Sequence, residues 1–444
     1  MSKFPFRVRA LAAAALVCCA GQAGAIGLLQ AYNAALANDP AYRSAIHEYE
    51  AGQQNKAIGR SQLLPQISAN YSASKNRTDI ITQTPLGDSP SHPVYFSRSS
   101  SVQLRQPILN LDSLARYKQS VAQTDYSAAV FDSRKQEMIV RLVSAYLDAL
   151  LQSEQLRLTQ AQRDAYIEQK NVNDRLFEKG EGTRTDMIET QARLDLSEAQ
   201  VLEAQDSLQT ALATLSALVG EKVMVLDDLA PQFRIAPMGA DSYEDWKDIA
   251  LKNNPEIRAQ EFGVEAARQD VNKNRAGHAP RVDFVTSYSK NTADTINTYN
   301  QQSTVRAVGI QVSIPLFSGG YATATTRQSA ANYEKSKSDL QTNTDKVLVE
   351  LKRQYSAVLS SSKRVLALEK AVASGELLIT ATEQSIKGGV RINLDLLNAR
   401  QQLYTSRRDQ AQARYNYLLS TVKMKAAAGV LGVDDLREVA GYFR

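Results

Sequence analysis

The chain has 444 residues, of which 43% are hydrophobic and 22% are charged, so it can bury a core and is not a disordered chain. It contains only 2 cysteines and 3 histidines, against 19 tyrosines. Most metal sites and many nucleophile–base pairs need Cys or His, so we expect no catalysis and no cofactor. Length alone would suggest two or three domains.

The N-terminus has the pattern of a secretory signal peptide. A short apolar run follows Lys3, Arg7 and Arg9 and ends in small residues, so we predict a signal over residues 1–25. Both cysteines, Cys18 and Cys19, lie in this segment, which leaves the mature chain without disulfides or thiolates. Cleavage would also leave 49 basic against 47 acidic residues. So small an excess predicts no nucleic-acid partner.

The rest of the chain contains an internal repeat with a period of about 210 residues. Five short matches occur in the same order in both halves. They are Asn38-Asp39-Pro40 with Asn253-Asn254-Pro255, Pro65 with Pro280, Pro107 with Pro315, residues 180–186 with 389–395, and Gly220 with Gly429. We predict a first repeat over residues 26–220, a linker over 221–242, a second repeat over 243–432 and a short C-terminal tail over 433–444.

Each repeat is predicted to begin with a helix, over residues 28–63 and 243–276, followed by two strands. Apolar side chains alternate with small or polar ones in all four strands, which is typical of a half-buried sheet. The apolar positions are Ile67, Ala69, Tyr71 and Ala73; Val102 and Leu104; Val282, Phe284 and Tyr288; and Val308, Ile310, Val312 and Ile314. Polar loops are predicted between the paired strands, around Pro85, Pro90 and Pro93 and over residues 291–303.

Long amphipathic helices are predicted after the strands of both repeats. No proline interrupts residues 112–178, and a helix of this length would reach about 100 Å. Apolar residues recur at helical or heptad spacing, which is typical of coiled coils. They are Ile139, Leu142, Val143, Tyr146, Leu147, Leu150 and Leu151; Leu194, Val201, Leu208 and Leu215; and Val347, Leu351, Tyr355 and Val358. Each repeat then turns at glycines, which are Gly180 and Gly182 and, in the second repeat, Gly388 and Gly389.

Strands with one apolar face indicate a membrane-spanning sheet that one chain cannot close. Strands of about ten residues cross a bilayer when tilted, but a sheet in lipid cannot leave its edges unpaired. Three copies would supply twelve strands, an even number within the known range. The sequence therefore favours a homotrimer that shares one barrel. The alternative, a soluble sheet beside a helical bundle, explains neither the helix length nor the signal peptide.

Several short motifs occur in a fixed order along the chain. They are Asn38-Asp39-Pro40, Leu64-Pro65-Gln66, residues 314–320 (IPLFSGG), the two Gly-to-Asp hairpin segments and residues 413–419 (ARYNYLL). In this order they resemble those of the TolC-type outer membrane exit ducts of Gram-negative bacteria. The resemblance implies a mainly α fold with a membrane β-barrel. In the trimer, a shared 12-stranded barrel with four strands per chain would continue into a long α-helical, coiled-coil periplasmic tunnel.

The same resemblance implies a location in the outer membrane, with the tunnel in the periplasm. It also implies three kinds of partner besides the outer membrane lipid: two further copies of the chain, a periplasmic adaptor (membrane fusion) protein and an inner-membrane pump. The pump would be an ABC exporter or a proton-driven transporter. It would supply the energy for export, because the chain has no nucleotide-binding signature of its own.

In the family that the chain resembles, the tunnel closes at the hairpin ends. The resemblance gives Arg391 and Asp395 the roles of a constriction arginine and a ring-forming aspartate, and Asp186 that of the arginine's partner across helices. Three copies of Asp395 around one axis would attract cations. From the residues alone, Asp186 and Glu189 are more simply helix-capping acids, so for Asp186 both readings stay open.

Three positions at this predicted gate depart from the family pattern. Asn398 stands where a second ring aspartate is common, and Ile386 stands where a tyrosine is expected. Arg175 replaces a neutral polar residue. We therefore expect a less charged ring and a closed state that is held by different contacts.

The sequence predicts a passive exit duct of a tripartite export machine, and not an enzyme. Type I protein secretion is favoured by overall similarity to secretion-type members, and multidrug or small-molecule efflux is the alternative. A rival of another class is a soluble periplasmic helical adaptor, which would carry one helical hairpin and no duplication.

Overall fold

A computed structural model describes residues 25–230, 233–236, 239, 242–295 and 298–443 of the chain. Apart from Ala25, the predicted signal peptide lies outside these residues. The helices and strands, in chain order, are α1 (Leu28–Asn38), α2 (Pro40–Ser61), β1 (Gln66–Arg77), β2 (Ile80–Thr84), β3 (Gly87–Ser91), β4 (Val94–Leu109), α3 (Leu111–Glu178), α4 (Arg184–Val219), α5 (Tyr243–Asn253), α6 (Pro255–Arg275), β5 (Arg281–Thr295), β6 (Thr298–Ser313), α7 (Tyr321–Lys387), α8 (Asn393–Ala427) and α9 (Val433–Ala440).

The first helix of each repeat is broken in two, so the prediction of continuous helices over 28–63 and 243–276 is wrong. The breaks fall at Asp39 and Asn254, whose backbone is extended (ψ 115° and 120°). Each residue precedes a proline, whose ring excludes the helical conformation of the residue before it. A 3-10 turn, Ala276–His278, also follows α6.

At each break, an asparagine side chain caps the C-terminal end of another helix. Asn38 Nδ2 donates to the carbonyl of Val219 at 2.8 Å, and Asn254 Nδ2 donates to the carbonyl of Ala427 at 2.9 Å. These carbonyls have no partner within their own helices, so the side-chain amides satisfy them. The buried carboxylate of Asp39 also pairs with Arg141 on α3. The Asn-Asp-Pro motif therefore has a structural role.

The main sheet has four antiparallel strands in the order β1-β4-β5-β6. Its register places the predicted apolar positions on one face: Ile67 lies opposite Leu104, Leu104 opposite Thr286, and Thr286 opposite Val308. The next row lies on the other face, which is mainly polar, and contains Gln66, Arg105, Val285 and Gly309. The alternation predicted from the sequence is confirmed. Ile67, Val308 and Ile310 are 67–73% exposed in the single chain, so the described part of the chain does not cover this face.

Both predicted interstrand loops contain β-structure. Residues around Pro85 and Pro90 form a separate hairpin, in which β2 pairs with β3 around a turn at Gly87 (φ 115°). In the second repeat, β5 and β6 pair as far as Thr295 and Thr298, so most of the predicted loop over 291–303 is strand. The described residues thus contain six strands rather than four.

The chain divides into two compact units, and each takes segments from both predicted repeats. Of the described residues, one unit comprises those within 25–46, 132–254 and 345–443, and the other comprises those within 47–131 and 255–344. The core of the first unit is built on the predicted apolar stripe of α3, whose seven residues from Ile139 to Leu151 are all at most 7% exposed. Among the described residues, no helix is long and apolar enough to cross a membrane.

Candidate gate at the helical hairpin ends

The turn between α3 and α4 is set by two glycines with different requirements. Gly180 has φ 75°, a conformation that residues with a Cβ rarely adopt. Gly182 has an ordinary φ, but a Cβ there would lie 3.0 Å from the backbone nitrogen of Phe177 and 3.1 Å from Leu176 Cβ. The turn closes when the amides of Glu181 and Gly182 donate to the carbonyl of Leu176 at 2.9 and 3.0 Å. Both residues therefore have a local role in the turn.

The turn between α7 and α8 repeats this backbone conformation. Gly389 has φ 73° and corresponds in the repeat to Gly180. Gly388 has no positive φ, and a Cβ at this position would lie 3.7 Å from its nearest neighbours, which is ordinary contact. This turn therefore requires glycine only at position 389. Val390 donates its amide to the carbonyl of Ser385 at 3.0 Å, which closes the turn.

Asp186 forms the N-terminal cap of α4. Thr183 is the N-cap residue, and its hydroxyl accepts from the Asp186 amide at 3.1 Å. In return, the Thr183 amide and hydroxyl donate to Asp186 Oδ2 at 3.3 and 2.6 Å. This reciprocal capping box was one of the two readings of the sequence. Glu189 lies beyond the first turn and takes no part in the box.

The other predicted gate residues lie near the same hairpin ends but do not form one cluster within the chain. Arg391 contacts Thr382 Oγ1 at 3.5 Å, and the described part of the chain shows no ion pair between Arg391 and Asp186. Asp395 lies in the first turn of α8. Asn398 accepts a bond from Arg193 of α4 at 3.2 Å.

Two of the departures from the family pattern lie on the helices that lead into these turns. Arg175 is exposed in the last turn of α3. Ile386 is half-buried and lines a cleft of about 500 Å³ between the two hairpin ends. Asp186 and Arg400 line the same cleft. Among the described residues, no cluster of His, Cys, Asp or Glu could hold a metal ion.

A chain of buried polar side chains connects three helices next to these turns, and no pattern in the sequence indicated it. Asn173 donates to Thr190 Oγ1 at 2.7 Å, and Gln169 Nε2 donates to Asn173 Oδ1 at 3.1 Å and to Asn393 Oδ1 at 2.9 Å. Asn173, Gln169 and Thr190 are at most 9% exposed. Thr190 also donates to the Asp186 carbonyl at 2.8 Å, which connects the network to the cap.

A second contact between α3 and α8 lies two turns further from the hairpin ends. Gln162 and Tyr166 both donate to Gln401 Oε1, at 2.7 and 3.1 Å. Tyr404 donates its hydroxyl to the Ala161 carbonyl at 3.2 Å, and burial raises the pKa of Tyr404. The tyrosine is therefore a neutral donor at physiological pH. Uncharged hydrogen bonds thus join α3 to α8 in this region.

The helices α7 and α8 are joined by a ladder of three ion pairs, which we call the heptad ladder. Its pairs are Glu369–Arg414 at 3.1 Å, Glu376–Arg407 at 2.7 Å and Glu383–Arg400 at 3.1 Å. Successive members of both series are seven residues apart, as expected for charged flanking positions of a coiled coil. This spacing is visible in the sequence and could have been used to predict the pairing.

Comparison with known protein families gives one match that covers most of the chain. A family model described as "Outer membrane efflux protein" matches residues 31–221 and 246–430. These two ranges contain both hairpins and all the predicted gate residues.

Two similar curated proteins are named for protein secretion. The alkaline protease secretion protein AprF of Pseudomonas aeruginosa is 42% identical over 94% of this chain and 88% of its own length. The proteases secretion protein PrtF of Dickeya chrysanthemi is 35% identical over 96% of this chain and 92% of its own length.

Among solved structures, the CmeC outer membrane channel of Campylobacter jejuni superimposes with a TM-score of 0.79. The alignment covers 94% of this chain and 90% of the channel, at 17% sequence identity. A likeness at this identity shows a shared fold. It gives no information about what the chain transports.

Proposed function

Because this chain belongs to the outer membrane efflux protein family, we propose that it is the outer membrane exit duct of a type I protein export machine. The resemblance to TolC-type ducts is confirmed by this membership. The chain is an outer membrane channel of the Gram-negative type, with a periplasmic helical tunnel. The alternative of a soluble periplasmic adaptor is excluded.

The fold agrees with this assignment. The four-stranded sheet, with one apolar face and two unpaired edges, fits one third of a trimeric barrel. Channels of this type are homotrimers that work with partners in tripartite export. The relatives are passive channels, and we propose that this chain likewise has no enzymatic activity and takes its energy from an inner-membrane pump.

The observation that supports protein secretion is the pair of relatives named for protease secretion, which are 42% and 35% identical over nearly the whole chain. The pump would then be an ABC exporter, reached through a periplasmic adaptor. Small-molecule efflux is the second candidate, because the family description names efflux. In that case the pump would be an ABC or a proton-driven transporter.

We propose that the hairpin ends form the periplasmic gate. Asp186, Arg391 and Asp395 would face the threefold axis region of the trimer, where Arg391 of one chain would bond Asp186 of the next. Arg175, Asn398 and Ile386 would modify the charge and hydrogen bonding of this constriction. Support comes from the resemblance and from the position of all six residues near the two turns.

Replacement of AprF by this chain in Pseudomonas aeruginosa tests the secretion proposal. We expect protease activity to return to the culture medium, relative to the strain without AprF. The matched control is the same chain with a proline in α7 at Gln354, which is buried and would disrupt the tunnel helix. If the chain assembles as a trimer in the outer membrane, restores drug resistance in an efflux-deficient strain and yet exports no protease, small-molecule efflux is the correct assignment.

A further inference from the structure

A row of basic side chains crosses the apolar face of the main sheet, with one residue on each strand. The residues, which we call the basic row, are Lys75 on β1, Arg98 on β4, Lys290 on β5 and Arg306 on β6. All four are exposed in the single chain. Among the described side chains of these strands, this face carries no acidic residue, although Arg77 adds a fifth base one row beyond Lys75.

The sheet register defines how the row runs. Lys75 lies opposite Phe96, two residues before Arg98. Lys290 lies opposite Ser100, two residues after Arg98, and Arg306 lies opposite Tyr288, two residues before Lys290. The row is therefore displaced by two residues at each step across the sheet. In a barrel with strands tilted by about 40°, positions of equal height are displaced by roughly one to two residues per strand. The basic row thus lies at nearly one height.

At the helix side of the sheet, β1 and β6 do not end at the same level. The first residue of β1, Gln66, lies in one register row with Arg105, Val285 and Gly309. β6 continues four residues beyond Gly309, to Ser313. Eight residues toward the helices from each basic residue lies a second position on the same face. These positions, for Lys75, Arg98, Lys290 and Arg306 in turn, are Ile67, Gln106, Val282 and Ile314, the last of which lies just beyond β6. Eight residues of a tilted strand span about 20 Å of height, close to the roughly 25 Å of an apolar band.

Along each strand, the basic row lies further from the helices than the predicted apolar positions do. α2 leads into β1 and α6 leads into β5, whereas β4 and β6 lead into α3 and α7. With the helices in the periplasm, the row is at the outer-leaflet edge of the apolar face. Two aromatic rings lie beside it: Lys75 Nζ is 5.7 Å from the Phe96 ring centre, and the Arg306 guanidinium is 5.7 Å from the Tyr288 ring centre. Aromatic residues of this kind mark the membrane interface.

We propose that the basic row binds the phosphate groups of the phosphorylated glycolipid, lipid A, in the outer leaflet. None of the four residues forms an ion pair with a carboxylate that the structure describes. Anionic headgroups attract positive charges at the edge of a lipid-facing surface, and each basic residue contributes about fivefold to such binding. The trimer would present twelve such residues as a belt around the barrel, independently of what the duct exports.

The test is native mass spectrometry of the purified full-length trimer titrated with bisphosphorylated lipid A and, separately, with enzymatically dephosphorylated lipid A. We expect wild type to bind the phosphorylated form at least tenfold more tightly. A quadruple variant, Lys75→Gln, Arg98→Gln, Lys290→Gln and Arg306→Gln, should bind the two forms equally. Swapping lysine and arginine at all four positions should keep the preference, because the charge is kept.

The matched control removes four exposed basic residues outside the main sheet, by Lys222→Gln, Lys252→Gln, Lys363→Gln and Arg364→Gln. It should keep the wild-type preference. Both variants are first checked for trimer assembly and for reconstitution in bilayers. Equal binding of the two lipid forms by wild type, or an unchanged preference in the basic-row variant, would refute the proposal. Displacement of lipid A by low millimolar inorganic phosphate would also refute it, because it would indicate a simple anion site.

Discussion

At the scale of single residues, the carboxylate of Asp186 can act both as a helix cap and as half of an ion pair. Both bonds from Thr183 end on Oδ2. Oδ1 has no described partner within the chain and is thus available to Arg391 of a neighbouring chain. The two readings of the sequence are therefore compatible, because each uses a different oxygen of the same carboxylate.

If the two roles coexist, removal of the ion pair should open the gate. Asp186→Ala and Arg391→Ser are each expected to raise single-channel conductance severalfold in planar bilayers, because each breaks one bond that holds the closed state. Thr183→Ala is the matched control, since it removes the cap hydroxyl and leaves the carboxylate. It should lower the thermal stability of the hairpin by about 1 kcal/mol and leave the conductance unchanged. Equal conductance in wild type and both gate variants would restrict Asp186 to capping.

The second residue-scale prediction concerns charge in the pore. A ring of three Asp395 carboxylates should favour cations, so Asp395→Ala should move the reversal potential in a KCl gradient toward zero. Asn398→Asp should move it the other way, because it adds a second ring of three charges. Asp195→Ala, on α4, removes the same charge from the other hairpin and serves as the control. A reversal potential that responds equally to Asp195→Ala would exclude a specific ring at position 395.

At the scale of elements, the two contacts of α8 differ in kind. Ion pairs of the heptad ladder join α8 to α7, whereas most of the bonds between α8 and α3 come from neutral amides and hydroxyls. Arg400 takes part in both, because it binds Glu383 on α7 and donates to the Ala165 carbonyl of α3 at 3.3 Å. If the hairpin ends form a gate, we expect the ladder to keep α7 and α8 together as one hairpin while the contacts with α3 change.

Charge reversal tests the ladder. Glu383→Arg or Arg400→Glu alone should lower the midpoint of thermal unfolding, because each creates a like-charge pair, and the double reversal should recover most of the loss. Both side chains keep some contact with water, so we expect a coupling of about 0.5–1 kcal/mol. The same cycle at Lys335–Asp339, an exposed pair within α7, should give almost no coupling. A double reversal no more stable than the worse single variant would show that the pair contributes nothing.

Element boundaries also show where local sequence rules fail. The predicted loop over 291–303 is mostly strand, because backbone pairing between β5 and β6 continues to Thr295 and Thr298 regardless of side-chain polarity. Outside an apolar band, both faces of a strand contact water, and the period-two alternation disappears. The helix breaks at Asp39 and Asn254, in contrast, were predictable from the sequence, because each of these residues directly precedes a proline.

At the scale of the whole molecule, the unpaired edges of the main sheet are the feature that requires other copies. β1 and β6 are the outer strands, and a lipid-embedded sheet cannot leave their backbone groups unpaired. In a homotrimer that shares one barrel, β1 of each chain would pair with β6 of the next. The polar faces of these strands would then line the lumen.

This arrangement predicts which strands crosslink between chains. Asn70→Cys on β1, combined in turn with Ala307→Cys, Gly309→Cys or Gln311→Cys on β6, should give a covalent trimer on gels for at least one pair, because paired residues lie within disulfide reach. Ser101→Cys on β4 with the same β6 cysteines is the control and should give none, since β5 lies between these strands. Both native cysteines, Cys18 and Cys19, lie in the predicted signal peptide, so we expect a low background. Crosslinking of the control pairs, or of no β1–β6 pair, would contradict the shared barrel.

The sequence by itself determined the elements that have a local or periodic origin. Alternation gave the two faces of the sheet, heptad spacing gave the long helices, and glycines gave the hairpin turns. The ordered motifs gave the family. These features depend on residues close together in the chain, so no knowledge of distant contacts was needed.

Only the tertiary structure decided which distant residues meet. The buried network of Gln169, Asn173 and Thr190 and the slope of the basic row follow from interhelical packing and strand register. A shift of one residue in register would move every side chain of a strand to the other face. The sequence patterns fix the faces, but the identity of each partner depends on contacts between segments that lie far apart in the chain.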